Sequence, residues 1–300
     1  MSRLQGIADA GSEGGASPAR IEGMTDAHIH IFGQFDRYPM QASRSYTPPC
    51  EATIAQLRKS HAAAGLSRVV VVQPSIYGTD NRCTLDAVAE LGLERSCAVV
   101  LVDPSATLGQ LSALAQGGAR GVRLNLAGFG ENRALARDML RRSIDQAASV
   151  DWHLQLLTRP EQTSAVLDIL EDCAVPVVFD HFGYVRPEAA HGPAFAGMLD
   201  LVRSGKAYVK ASASYALTSH PADQRDLRPL VERLLEANPL RLLWGSDWPH
   251  LDVRPDGACG LFKADLTADL ARLRSWVGDD AVWTRIISSN AQALYGFRTA

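Results

Sequence analysis

The feature that most narrows what this chain can fold into is a repeated alternation of two patterns along its 300 residues. Eight short, nearly continuous apolar runs fall at Met24–Ile31, Arg68–Gln73, Ser96–Asp103, Arg120–Asn125, Trp152–Leu157, Pro176–His181, Ala207–Ser212 and Leu242–Asp247. A run without polar alternation suits a strand covered on both faces, as in a parallel sheet. Between the runs lie segments with helical spacing: Thr53–Ala64, Thr84–Leu93, Leu108–Gln116, Arg133–Ser149, Glu161–Asp172, Phe195–Arg203 and Leu227–Ala237. In Thr84–Leu93, for example, Leu85, Val88, Ala89 and Leu91 make one apolar stripe. Two further helical stretches, Asp265–Val277 and Ala281–Leu294, follow the last run. Strand and helix alternating eight times, with no break in composition, predict an α/β chain folded as a single (β/α)8 TIM barrel. A doubly wound sheet is the other arrangement of the same elements.

Composition bounds the rest. Such barrels use about 250 residues as one unit, so the length calls for no second domain. We expect residues 1–22, rich in Gly, Ala and Ser, to form a flexible tail, and residues 23–300 to form the barrel. A net charge of -3 leaves no electrostatic footprint for nucleic acid or an anionic membrane. No apolar run reaches the roughly 20 residues of a membrane-spanning helix. The five cysteines are scattered and form no C-x-x-C pair, and the first residues lack the apolar core of a signal peptide. The expectation is a cytoplasmic enzyme with reduced thiols and a small-molecule substrate, with neither nucleic acid nor membrane as partner.

In a barrel of this kind the chemistry sits at the C-terminal ends of the strands. The first run ends Asp26-Ala27-His28-Ile29-His30, and alternation puts His28 and His30 on one face. The sixth ends Asp180-His181-Phe182-Gly183 and the eighth Trp244-Gly245-Ser246-Asp247-Trp248-Pro249-His250. An aspartate ending an apolar strand is costly to bury unless paired or coordinated. The barrel therefore brings three imidazoles and Asp247 to one rim. Arg123, apolar on both sides, calls for an anionic partner, either an internal carboxylate or a substrate. Asn125 follows on the same strand, and Lys210, Ser212 and Tyr215 mark the seventh. His153 starts a strand, so it belongs at the foot of the barrel, away from the chemistry; His61 falls in a helix.

These segments, together with Val72-Gln73-Pro74-Ser75, Gly78-Thr79-Asp80-Asn81 and Gly121-Val122-Arg123-Leu124-Asn125, resemble the amidohydrolase superfamily. Within it they are similar to the amidohydrolase 2 branch of pyrone-dicarboxylate and sugar-lactone hydrolases, and the resemblance runs from Met24 to Tyr295. It implies hydrolysis of a small carboxylated lactone. Asp247 would be the base that activates water, and His28, His30 and His181 would surround the carbonyl oxygen, either as donors or through a metal. Arg123 would hold a substrate carboxylate, with Ser75, Tyr46, Tyr77, Asn125 and His250 nearby. The fourth and fifth strands end in Asn125 and Leu157-Thr158, without the histidine or carboxylated lysine of many relatives. His28, His30, His181 and Asp247 thus suffice for one divalent ion, zinc foremost, or for none. No extra arginine follows the fourth or seventh run closely, which favours a lactone with one carboxylate, or none, over the pyrone dicarboxylate. A metal-dependent decarboxylase and a lactone isomerase use the same scaffold, and a non-catalytic binding protein is the reading outside enzymes.

Overall fold

Each apolar run supplies one strand. The computed structural model describes residues 21–254 and 256–297, and most of the expected tail lies outside them. The strands are β1 (Thr25–Ile29), β2 (Arg68–Val72), β3 (Ser96–Val100), β4 (Ala119–Asn125), β5 (His153–Leu157), β6 (Val177–Phe179), β7 (Ala207–Ala211) and β8 (Leu242–Trp244). They pair in sequence order, every neighbour parallel. The ring closes just past β8, where His30 N donates to Trp248 O at 2.8 Å and Asp247 N to His28 O at 2.9 Å. Sequential order with closure excludes a doubly wound sheet, whose strand order reverses.

Parallel neighbours need crossovers, and helices provide them. They are α1 (Ile54–Ala64), α2 (Arg82–Leu91), α3 (Leu108–Gln116), α4 (Arg133–Ser149), α5 (Pro160–Ser164), α6 (Leu167–Glu171), α7 (Pro193–Arg203), α8 (Ser214–Leu217), α9 (Arg228–Ala237), α10 (Leu266–Val277), α11 (Asp280–Thr284) and α12 (Asn290–Tyr295). Thr53 and Thr107 start α1 and α3 through reciprocal capping boxes with Gln56 and Gln110. The single helix expected over Glu161–Asp172 is two, α5 and α6, because Val166 leaves helical geometry (φ -129°, ψ 3°) while its side chain is buried. The stretch Ala281–Leu294 is likewise interrupted by a π turn at Arg285–Ser289. That turn sets the Asn290 amide where it donates to Pro239 O and Leu242 O at 2.9 and 2.8 Å, and Ser288 Oγ where it donates to Glu22 O. A short hairpin, β9 (Leu251–Val253) and β10 (Cys259–Leu261), was not expected; its strands are too short to show a period. Among the described residues no helix is long and apolar enough to cross a membrane.

Alternation along the strands builds two apolar layers. Val71, Val122, Leu154, Phe179 and Trp244 face the helices, whereas Val70, Val72, Val99, Val178 and Leu243 fill the lumen, with Tyr295 and Phe297 packed against them. His153 lies at that foot, its ring edge-on to Tyr295 with centroids 5.2 Å apart. Burial pushes its pKa down to about 3, so the ring is neutral in the fold.

This histidine makes the fold acid-labile. The unfolded chain takes up a proton near pH 6.5 that the native state refuses until about pH 3, so His153 contributes stability above pH 6.5 that is lost as pH falls through that window. One such proton corresponds to about 1.4 kcal/mol per pH unit. Urea unfolding at pH 7 and pH 5 should show a smaller loss on acidification for His153→Leu than for the unaltered protein; equal losses would exclude a buried neutral ring.

Candidate active site

The site begins with an irregularity in β1. Thr25 and Asp26 pair with Arg68 and Val69, but the next pairing is Ile29 with Val71, so β1 carries one residue more than its partner. The bulge splits what strict alternation would keep together. Asp26 faces the helices, where Oδ2 meets His61 Nε2 of α1 at 3.1 Å and Oδ1 accepts from Ser246 N at 2.9 Å. His28 and His30 both face the lumen, their Nε2 atoms 3.3 Å apart.

Asp247 is the hub. Its Oδ1 lies 3.6 Å from His28 Nε2, 3.7 Å from His30 Nε2 and 3.8 Å from His181 Nε2. Its Oδ2 accepts from the Tyr215 hydroxyl at 2.7 Å. Tyr215, on α8, is fixed by stacking on Phe262 just after β10, with centroids 4.8 Å apart. His181 and Asp247 both sit in the left-handed region, at φ 51° and 61°. For residues other than glycine this costs about 1–3 kcal/mol each, and such strain collects where geometry serves function.

The far nitrogens of the three rings are held as well. His30 Nδ1 donates to Val72 O at 2.7 Å, and His181 Nδ1 meets Ser212 Oγ at 2.8 Å. His28 Nδ1 faces Asp180 Oδ1 at 3.1 Å and Lys210 Nζ at 3.3 Å. Below it Lys210 Nζ donates to Gln155 Oε1 at 2.6 Å, and Gln155 Nε2 donates to Asp180 Oδ2 at 3.1 Å. Arg123 completes this buried layer, with Nη1 donating to Gln73 O at 3.0 Å and Nε 3.6 Å from Asp180 Oδ2.

Electrostatics follow from burial and these neighbours. Burial lowers His28 well below its ordinary value, His30 to about 4, and His181 too, so the three rings are neutral near pH 7. Burial would raise Asp247, but His181, His28 and His30 outweigh it and keep the carboxyl below its usual value. Asp180 is held down against burial by His28, Lys210 and Arg123. Burial brings Lys210 down to about 8, with Asp180 opposing. The result is an ionised carboxylate among neutral imidazoles.

The four residues expected to carry the chemistry therefore meet. Arg123 flanks them, with Tyr46, whose phenol is hydrogen-bonded by Ser75 and pushed up to about 12 by burial. The internal carboxylate foreseen for Arg123 is Asp180. His250 reaches Ser246 O at 3.1 Å and turns its ring edge to Tyr215. Asn125 spends its side chain on Gly128 N, closing the turn after β4, and Tyr77 is buried in the outer apolar layer beside Cys83. Sequence reasoning passed over Tyr215, Asp180, Lys210 and Gln155 as site residues, and also Tyr184 and Arg159. The Arg159 guanidinium lies 5.8 Å over the Tyr184 ring, which in turn is edge-on to His181 at 5.5 Å. Asp180, Gln155 and Lys210 each stand at a lumen-facing position of their strands, a signal that was available.

Three Nε2 atoms and one carboxylate oxygen are a donor set that suits zinc. Ligands of one tetrahedral ion, each about 2.0–2.1 Å from it, lie about 3.3–3.4 Å apart, close to the spacings around Asp247 Oδ1. His28, His30 and Asp247 form a compact triad of this kind, and the residues fit a single divalent ion.

Gly245 is the pivot that lets β8 lie against β1. A Cβ there would stand 2.8 Å from His28 Cβ and 2.9 Å from His28 N, with no flexible group to yield. Gly245→Ala should cost about 1–3 kcal/mol by overpacking. It should also lower activity beyond that loss by displacing His28 from Asp247. Thermal unfolding and activity at saturating substrate check this; an alanine variant with both unchanged would show that the approach is not tight.

Comparison with known proteins places this geometry. A family model described as Amidohydrolase matches residues 25–297. A 4-sulfomuconolactone hydrolase from Hydrogenophaga intermedia is 33% identical over 276 residues, covering 91% of this chain and 89% of the relative. A 2-pyrone-4,6-dicarboxylate hydrolase from Comamonas testosteroni is 32% identical over 248 residues, covering 77% and 78%. Among solved structures, one from Acinetobacter baumannii assigned as a 2-pyrone-4,6-dicarboxylic acid hydrolase, with citric acid bound, superimposes with a TM-score of 0.79 at 26% identity, covering 92% of this chain and 100% of that one.

Proposed function

The chain belongs to the amidohydrolase family, and we propose that it is a hydrolase that opens a small carboxylated lactone ring. The observation that carries this reading is the position of Asp247 Oδ1, near 3.7 Å from three neutral imidazole nitrogens at once. A water molecule on Asp247 Oδ1 loses its proton to the carboxylate while its oxygen attacks the lactone carbonyl. Negative charge developing on the carbonyl oxygen is met by the His28 and His181 rings. The ring C–O bond then breaks, and the departing oxygen takes the proton back from Asp247. The product carries a new carboxylate and a new hydroxyl. His30, with its proton given to Val72 O, presents a lone pair that can orient the water.

Tyr215 holds the second carboxylate oxygen, so Asp247 attacks with one fixed oxygen. Arg123 would bind the substrate carboxylate, because among the described residues its Nη2 makes no hydrogen bond. Tyr46 with Ser75 would line the opposite wall, and Tyr77, Asn125 and His250 would shape the pocket from behind. If a divalent ion such as zinc is bound, His28, His30, His181 and Asp247 would hold it and it would polarise the carbonyl. Five unpaired cysteines, two of them buried, agree with a cytoplasmic enzyme, and the barrel from residue 23 onward would be its one catalytic domain.

A panel of pyrone, muconolactone and sugar-acid lactones, assayed with and without chelator, tests the reading. Ring opening to the hydroxy acid is expected for at least one carboxylated member, and Asp247→Asn should lower kcat by about 10²–10⁴. An isomerised lactone or released carbon dioxide as product would replace the reading, and an Asn variant as fast as the unaltered enzyme would remove Asp247 from its role.

A further inference from the structure

The buried layer beneath the rings holds an amine that the reaction above does not use. Lys210 is fully buried on the lumen side of β7. Its Nζ has three acceptors within reach: Gln155 Oε1 at 2.6 Å, His28 Nδ1 at 3.3 Å and Asp180 Oδ1 at 3.5 Å. An ammonium has three N–H groups, so the cage matches it one for one.

The ring above it reads the same way from its other end. His30 gives Nδ1–H to a backbone carbonyl, which can only accept, so its neutral ring has a bare Nε2. That bare nitrogen lies 3.3 Å from His28 Nε2. Two bare nitrogens at this distance repel, so His28 must bring the proton to the contact. With its proton on Nε2, His28 has a lone pair on Nδ1, and that lone pair faces Lys210.

We propose that Lys210 is a positioning residue that fixes His28 in its Nε2–H form, so that the ring presents a hydrogen-bond donor to the reacting carbonyl. Lys210 donates to Nδ1 and at the same time lies between that lone pair and Asp180, whose Oδ1 would otherwise take the ring proton at 3.1 Å. Gln155 fixes the amine from below. The competing form, with Nδ1–H given to Asp180, is the one in which a histidine ligates a metal through Nε2. Lys210 thus sets His28 towards direct donation. The inference rests on the lactone reading for what the donor acts upon, but not for which nitrogen holds the proton.

The test is nitrogen NMR on the full chain carrying ¹⁵N-histidine, chelator-treated and free of substrate, with His28 assigned by its loss in His28→Gln. The unaltered protein should show a bare Nδ1 and a protonated Nε2 at His28. In Lys210→Met the proton should move to Nδ1, and kcat should fall by about 10² with KM changed less than about threefold. A His28 proton on Nδ1 in the unaltered protein overturns the proposal, and so does a methionine variant that keeps the Nε2–H form. If that variant fails to fold, the spectrum of the unaltered protein decides alone. A protein that opens no lactone but shows the Lys210-dependent signature would refute the reaction and leave the tautomer standing.

Discussion

One backbone hydrogen bond, from Asp247 N to His28 O at 2.9 Å, closes the barrel at the place where its chemistry is gathered. It makes the last strand's end a neighbour of the first strand's end, which nothing else in the sequence order would do. The bulge in β1 then turns both histidines inward, and Gly245 lets the two backbones touch. The left-handed turn at Asp247 swings its carboxylate over the rings. Closure, strain and catalysis share one short segment, so the strain is supported by the whole barrel.

The second constraint is charge balance in a dry interior. Asp180 and Asp247 are the carboxylates at the top of the lumen, and Arg123 and Lys210 the cations, so with neutral imidazoles the buried charges cancel two against two. Pairing Asp180 with Lys210 has a consequence for substrate. Arg123 shares that carboxylate at 3.6 Å rather than gripping it bidentately, which leaves an edge of its guanidinium for an incoming anion. The further arginines absent from the strand ends are partly answered by Arg159, which reaches the rim above Tyr184 from the loop after β5.

The barrel was legible because buried parallel strands write themselves as continuous apolar runs, and all eight lay where those runs placed them. His28, His30, His181 and Asp247 were legible because polar side chains at the ends of such runs are too costly to be incidental. What was hidden depends on contacts between distant segments. Strict alternation put Asp26 with the histidines, and only pairing with β2 reveals the extra residue that turns it away. Lys210 and Asp180 are 30 residues apart in sequence, and neither declares from its own neighbours that it will find the other. Tyr215 could be noticed beside strand 7, but its hold on Asp247 needs Phe262 and the hairpin, which carry no periodic signal.

The central claim is that water activated by Asp247 attacks a lactone carbonyl, and isotope tracing tests it most directly. A single turnover in ¹⁸O-labelled water, followed by mass spectrometry of the product, should place one ¹⁸O in the new carboxylate and none in the new hydroxyl. Label in the hydroxyl would mean attack at the alkyl carbon, and no label at all would mean isomerisation without hydrolysis; either result would contradict the account.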